Sequence, residues 1–473
     1  MEAFRHPFAD VTDLGDDVDL DLDAFEASLA GTVVVPGSPE YDVARQVHSA
    51  NADGHPALIV RAADTSDVSR TVLLARETGL SLSVRGGGHS LAGYGTNDGG
   101  IVLDLGAMKG LHIDPDRRLA WAQPGLTASE YSVAAAAHGL ATPFGDTGSV
   151  GIAGLTLGGG IGWLVRKYGL AVDALEAVEI VTADGRLVTA NAESHPDLFW
   201  AVRGGGGNFG VVTRFQFRLY PVGEVLGGAL FMPATRDVLR SLVPIAASAP
   251  EELTTISFVM RIPPAPFVPA ELVGTRSLVV MFVWTGDPAS GQAAIQPFRE
   301  VATPLIDMAM PMPYPGIYQF TAEGERRAYA VHRSRFLDAL DDDAIDAILD
   351  ATTAPSSPFA MVQLRVLGGA MARVPADATA FAHRDAPVMV TIITPYEDPA
   401  TGPQQRAWTD GLYEALAAHD AGVYANFLEA EGEERIRAAY PAGSYERLAD
   451  IKRRYDPRNL FRMNQNIQPA RLG

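Results

Sequence analysis

The chain has 473 residues, no cysteine, and a net charge of −20 from 57 acidic against 37 basic side chains. The missing cysteines exclude disulfides, thiolate nucleophiles and cysteine-ligated zinc or iron–sulfur centres, and the acidic balance argues against nucleic acid and anionic membrane surfaces as partners. No apolar run reaches the ~18 residues of a bilayer span, and the start, MEAFRHPFADVTDLGDD, lacks the basic and apolar regions of a secretory signal, so a cytoplasmic enzyme is expected.

Residues 21–29 read as a helix from the spacing of Leu22, Phe25 and Leu29. A strand over 57–60 precedes a helix over 66–77, which carries Val68, Val72 and Leu73 at helical spacing. Residues 80–84 form a strand that runs into a glycine loop, and 101–105 and 119–123 form two more. Thr127 and Glu130 stand in the spacing of a capping box, ahead of an Ala-rich helix that Gly139 can stop. In EAVEIVTADGRLVTA two strand-like runs flank Asp184-Gly185, a hairpin signal. HPDLFWAV reads as a helix, and VVTRFQFRLYPV alternates as a strand up to Pro221.

Residues 1–221 are thus a mixed α+β region. From 222 to 403 glycine thins, and TTISFVMRI, SLVVMFVWTG and APVMVTIITPY read as strands of a separate sheet, with helices between them such as 336–351. Residues 404–473 return to helix and end in YDPRNLFRMNQNIQP.

Three glycine clusters stand out: RGGGHS (Arg85, Gly86, Gly87, Gly88, His89, Ser90, with Gly93 following), GSVGIAGLTLGGGIGWL, and RGGGGNFGVVT. Glycine costs backbone entropy, so three clusters call for a common reason. Close approach of peptide N–H groups to a large anionic ligand supplies one. The third cluster formally matches G-x-G-x-x-G, but a helix precedes it and a strand follows, the reverse of a Rossmann context. No P-loop pattern occurs either, which leaves a dinucleotide site of another type.

These loops, taken with DLFWAVRGGGGNFGVVT and the tail YDPRNLFRMNQNI, resemble the berberine-bridge-enzyme type of FAD-linked oxidoreductase, within the vanillyl-alcohol-oxidase and p-cresol-methylhydroxylase flavoproteins. The likeness runs in order from about Gly31 to Pro469. It implies an α+β fold: a two-subdomain FAD domain (1–221), an inserted substrate domain built on an antiparallel sheet backed by helices (222–403), and a C-terminal return (404–473).

It also implies roles for residues. His89 matches the position that bonds covalently to the 8α-methyl of the flavin. Thr147 stands where many relatives carry a second, cysteine attachment, so a chain without cysteine is singly attached. Val150 falls at a gate position beside the flavin, which leans the reading towards an oxidase, with a plain packing valine as the equal alternative. FAD contacts are expected from Asp146, Thr147, Val150, Gly151, Gly154, Leu155, Gly158, Gly159, Gly160, Gly162 and Trp163 of the second motif. They are also expected from Gly207, Asn208, Gly210, Val211 and Val212 of the third, and from Asn464 and Asn466 of the tail. Asp173 fits the family pattern as a structural residue.

Sugar-oxidising relatives carry Tyr-x-Asn-Tyr where this chain has Tyr424-Ala-Asn426-Phe427, so the usual proton acceptor is missing. Catalytic candidates are therefore Tyr424, Asn426, Gln363 and Tyr396, unless the donor is a neutral amine or activated C–H that needs no strong base; Arg365 is a pocket cation or, as the plainer reading, part of a paired surface network. The Met- and Pro-rich run MAMPMPYPGIYQF is a candidate cavity lining, with ordinary core packing as the plainer reading. The expectation is an FAD-dependent oxidase that takes hydride from a small alcohol, amine or natural-product intermediate and passes electrons to O2, as a monomer or homodimer. A dehydrogenase with another acceptor, a carbohydrate oxidase, and a flavin-carrying binding protein are the rivals.

Overall fold

The computed structural model describes residues 22–322, 326–441 and 443–471. The N-terminal stretch read for a leader, and residue 21 of the first expected helix, lie outside them.

The chain first builds a four-stranded sheet ordered Thr32–Val34, Leu58–Arg61, Ile101–Asp104, Leu82–Arg85, in which the last three strands run parallel. Strands of a parallel sheet are covered on both faces and read as continuous apolar runs, and Ile59, Val60, Val102 and Leu103 are fully buried. The helix Thr65–Thr78 covers this sheet with Val68, Val72 and Ala75. Its Asp64 cap accepts from the N–H groups of Ser66 and Asp67, and Gly79 ends it at φ +73°. The first glycine loop leaves the carboxyl end of Leu82–Arg85, the end at which α/β sheets bind ligands.

A second, antiparallel sheet is ordered Leu111–Asp114, Leu119–Ala122, Val211–Arg218, Leu175–Val181, Leu187–Asn191. The expected hairpin turns at Gly185, φ +77°, and the Thr127–Glu130 capping box opens the helix Ala128–Ala136. The third glycine loop follows the helix Pro196–Val202 and feeds the central strand Val211–Arg218.

The third sheet is antiparallel and larger, ordered Ile306–Asp307, Glu224–Pro233, Arg276–Trp284, Leu253–Arg261, Met361–Val366, Val388–Tyr396, Tyr329–Leu337, with Met310–Pro313 also on Glu224–Pro233. Side chains alternate across it. Leu226, Leu230, Val362, Leu364, Val388 and Val390 point to the helices Arg236–Ser248, Pro288–Val301 and Asp342–Thr353. Val225, Ala229, Ile256 and Phe258 point the other way, into the core shared with the second sheet.

The helix read over 336–351 is corrected. Phe336 and Leu337 finish the strand Tyr329–Leu337, and the helix is Asp342–Thr353, started where Asp341 accepts from the Ala344 N–H. The helix Gly402–Ala415 also backs the large sheet, with Leu412 and Tyr413 in its core. Only after it does the chain come back to the glycine loops. Among the described residues no helix is long and apolar enough to cross a membrane.

Candidate active site

The three glycine loops and the C-terminal tail form one connected frame. A Cβ at Gly87 would lie 2.4 Å from Gly151 N, and one at Gly151 would lie 2.5 Å from Gly87 N, so the first two loops touch backbone to backbone. The Gly204 N–H donates to Leu157 O at 2.9 Å, tying the third loop to the helix Ile152–Leu157 of the second motif. Asn208 then joins the third loop to the tail. Its Nδ2 donates to Gly205 O (2.9 Å) and Gln465 O (3.1 Å), and its Oδ1 accepts from the Ile467 N–H at 2.9 Å. Fully buried Lys452 holds the same junction, donating to Asn208 O, Phe461 O and Asp456 within 2.8 Å.

The glycines of this frame divide into two kinds. Gly154 and Gly207 have nothing within 4 Å of a Cβ position and no positive φ, so the protein itself gives no reason for them to be glycine. They face open space, and His89, Ser90, Thr147 and Val150 of the first two loops are half-buried. Other glycines are filled by protein. A Cβ at Gly158 would meet Asn426, at Gly159 Phe381 and Tyr424, at Gly160 Ala171, at Gly162 Phe144 O, and at Gly210 Val181 O. Packing against other parts of the chain by itself accounts for glycine at these five positions. Val211 and Val212 are core residues of a strand, and Trp163 is buried with Nε1 on Asp146 O at 3.2 Å. Gly93, at φ +74°, sits against Ala52. Leu155 is half-buried, and its carbonyl accepts from Asn426.

The frame fits an FAD. Peptide N–H groups at open glycines suit a pyrophosphate, and the buried Oδ1 atoms of Asn464 and Asn466 have no partner among the described residues. Arg85 is a frame residue, paired with Asp104 at 2.8 Å.

His89 follows Gly88, at φ +71°. Its ring makes no hydrogen bond to the described residues and stacks on His48. Burial, then the nearby His48 charge, pushes its pKa down to about 4, so it is a neutral imidazole at physiological pH. His48 gave no signal in the sequence: a lone histidine outside any glycine cluster has no pattern to mark it.

The large sheet roofs the frame. Gln363 and Arg365 project from Met361–Val366 opposite to Val362 and Leu364. Arg365, 3% exposed, donates to Asp146 Oδ2 (2.8 Å), Gln363 Oε1 (2.8 Å) and Ile161 O (3.3 Å), and its cation lies 5.3 Å from the Phe427 ring centre. The Tyr424 oxygen accepts from Gly160 N–H (2.8 Å) and Asn426 Nδ2 (2.9 Å), and Asn426 also donates to Leu155 O at 3.0 Å. These two side chains buttress the second motif. Burial holds the Tyr424 phenol above its usual range.

Tyr396 is not brought to this group. It shares strand parity with Val388, Val390 and Ile392 on the helix-backed face, stacks on Tyr329, and bonds Asn51 at 3.1 Å. Asp173 is structural, paired twice with fully buried Arg384. In the Met-rich run, Met312, Tyr314, Ile317 and Tyr318 are core residues. A cavity of about 660 Å³ between Arg240, Asp338, Asp342 and Pro387 lies on the helix-backed side and touches none of these groups.

The chain is similar to known proteins. Residues 56–191 match the FAD binding domain family, and 423–468 match the berberine and berberine-like family. The chain is 31% identical to an uncharacterized FAD-linked oxidoreductase of Bacillus subtilis, over 94% of this chain and 98% of the relative. It is also 31% identical to (R)-6-hydroxynicotine oxidase of Paenarthrobacter nicotinovorans, over 93% and 97%. The crystal structure of 6-hydroxy-D-nicotine oxidase from Arthrobacter nicotinovorans has a TM-score of 0.84 at 29% identity, covering 94% of this chain and 99% of that one. The fold is shared with BBE-like 1 of Physcomitrella patens at a TM-score of 0.85 and 23% identity, covering 96% and 100%. The chain is an enzyme and belongs to the FAD-linked oxidoreductases of the berberine-bridge-enzyme-like family.

Proposed function

We propose that this enzyme holds FAD through one covalent bond from His89, takes hydride from a small organic substrate, and passes the electrons to O2 to give H2O2. FAD supplies the redox chemistry, and the protein supplies position and electrostatics. The observation that carries the reading is a neutral, unbonded imidazole on the first glycine loop, together with two glycines of the connected second and third loops that have open space and no structural reason of their own. Gly154, Gly207 and the free acceptors of Asn464 and Asn466 would hold the dinucleotide. Thr147 and Val150 would flank the ring.

Within the class, an amine fits better than an alcohol. Alcohol oxidation needs a group that takes the hydroxyl proton. Phe427 has no phenol, the Tyr424 oxygen is occupied by two donors, and Arg365 is held by Asp146. A neutral amine needs no such acceptor, and (R)-6-hydroxynicotine oxidase is a relative whose name gives a nicotine substrate. Oxygen use is supported by the oxidases among the relatives and by Val150 at the gate; a dehydrogenase is the second reading.

The test has two parts. Acid-denatured protein should keep a fluorescent flavin on a denaturing gel, and His89→Ala should lose it; colour that washes out of the unmodified protein defeats the attachment. Anaerobic bleaching across amines, alcohols, sugars and phenols identifies the donor. Admission of air should then restore the oxidised spectrum within seconds, and a spectrum that stays bleached favours the dehydrogenase.

A further inference from the structure

His48 lies against the proposed attachment residue. Its ring is 4.2 Å from that of His89, centre to centre, with the planes 19° from parallel. Backbone contacts fix the segment that carries it. The His48 N–H donates to Gly88 O at 3.0 Å, one residue before His89. Gln46 O accepts from Arg85 Nη1 at 3.3 Å, Val47 O accepts from Arg327 Nε at 3.1 Å, and the Ala50 N–H donates to Ala328 O at 3.0 Å. Burial, then the charge of His332, lowers the His48 pKa as well. The Glu429 carboxylate accepts from the His332 backbone N–H and from Arg333, and lies 3.8 Å from His332 Nδ1.

We propose that His48 is a positioning residue for flavin attachment: its ring fixes the plane of His89 while the bond forms. The proposal rests on the covalent reading above. A histidine ring turns about a broad torsion, and no hydrogen bond holds the His89 ring, so the stack is what orients it. In attachment a C–H bond of the flavin 8α-methyl breaks and a bond from that carbon to the imidazole nitrogen forms. The methyl proton and the imidazole N–H proton are released, and the electron pair stays in the flavin. O2 would take up those two electrons, giving H2O2. His48 forms none of these bonds, since a face-to-face ring presents no nitrogen along the lone pairs of its neighbour.

The test uses the full chain made under riboflavin limitation and mixed with FAD in air. Acid-precipitable flavin is followed with time, and quenching of FAD fluorescence reports binding before attachment. His48→Ala should bind FAD yet attach it at least about tenfold more slowly, because a loosely oriented nucleophile loses its rate advantage. His48→Phe keeps a flat ring and should stay within about threefold of the unmodified protein. Attachment by His48→Ala at the unmodified rate overturns the proposal, as does His48→Phe falling with His48→Ala. If the unmodified chain binds FAD but never attaches it, the parent reading fails and this one with it.

Discussion

Replacing Gly87 and Gly207 separately by alanine distinguishes a glycine needed by the protein from one needed by its ligand. At Gly87 the new Cβ would stand 2.4 Å from Gly151 N and 2.7 Å from its Cα, both backbone atoms. An ordinary contact needs about 1 Å more, and Gly151 begins the helix Ile152–Leu157, so the two loops must separate. Overpacking of this kind costs ~1–3 kcal/mol, and a shift of ~1 Å in a positioned group can lower a rate ~100-fold. At Gly207 the φ is −79° and nothing lies within 4 Å of the Cβ. Alanine there should leave the apoprotein as stable or add ~0.4–1 kcal/mol through the unfolded state. Thermal melting of flavin-depleted protein and the ratio of 450 to 280 nm absorbance of loaded protein read the two effects. Gly87→Ala should lower both; Gly207→Ala should keep the melting temperature and lose flavin. A Gly207→Ala protein that melts and loads like the unmodified chain refutes the idea that the open glycines serve FAD.

Flavin attachment should be insensitive to mild acid. With a His89 pKa of about 4, ~97% of the ring is neutral at pH 5.5, against ~10% for an ordinary imidazole; a tenfold drop in rate from pH 7.5 to 5.5 would contradict this. The same shift affects apoprotein stability. The folded-state pKa lies below the ordinary 6.5, so the contribution is complete above 6.5 and is lost as pH falls through 4, by at most about 3 kcal/mol. Lys452→Met should destabilise by ~3–5 kcal/mol in urea, because it leaves Asp456 buried and unpaired; a loss below 1 kcal/mol would deny the junction its role. Phe427→Tyr should raise kcat/KM on alcohols at least about tenfold by supplying a phenol, a general-base effect being worth ~10²–10⁴; no gain on any alcohol in the panel would place the base elsewhere.

The sequence by itself determined the features that are local. The capping box at Thr127, the turn at Gly185, the strand that runs into the first glycine loop, and the order of the four motifs are written in neighbouring residues. Those motifs are enough to identify the FAD-linked class and to single out His89. Strand parity in APVMVTIITPY also carried a fact that was not used, since Tyr396 alternates with Val388, Val390 and Ile392 and so belongs to the helix-backed face. Other features came only from the tertiary structure. Whether a glycine is open, as at 154 and 207, or filled, as at 158 and 159, depends on side chains more than 200 positions away, such as Asn426 and Tyr424. His48 meets His89, and Arg365 meets Asp146, through long-range packing that leaves no period in the sequence. Local patterns report hydrogen bonds and burial within one element; a binding cleft is made by contacts between elements, and those are fixed only when the sheets come together.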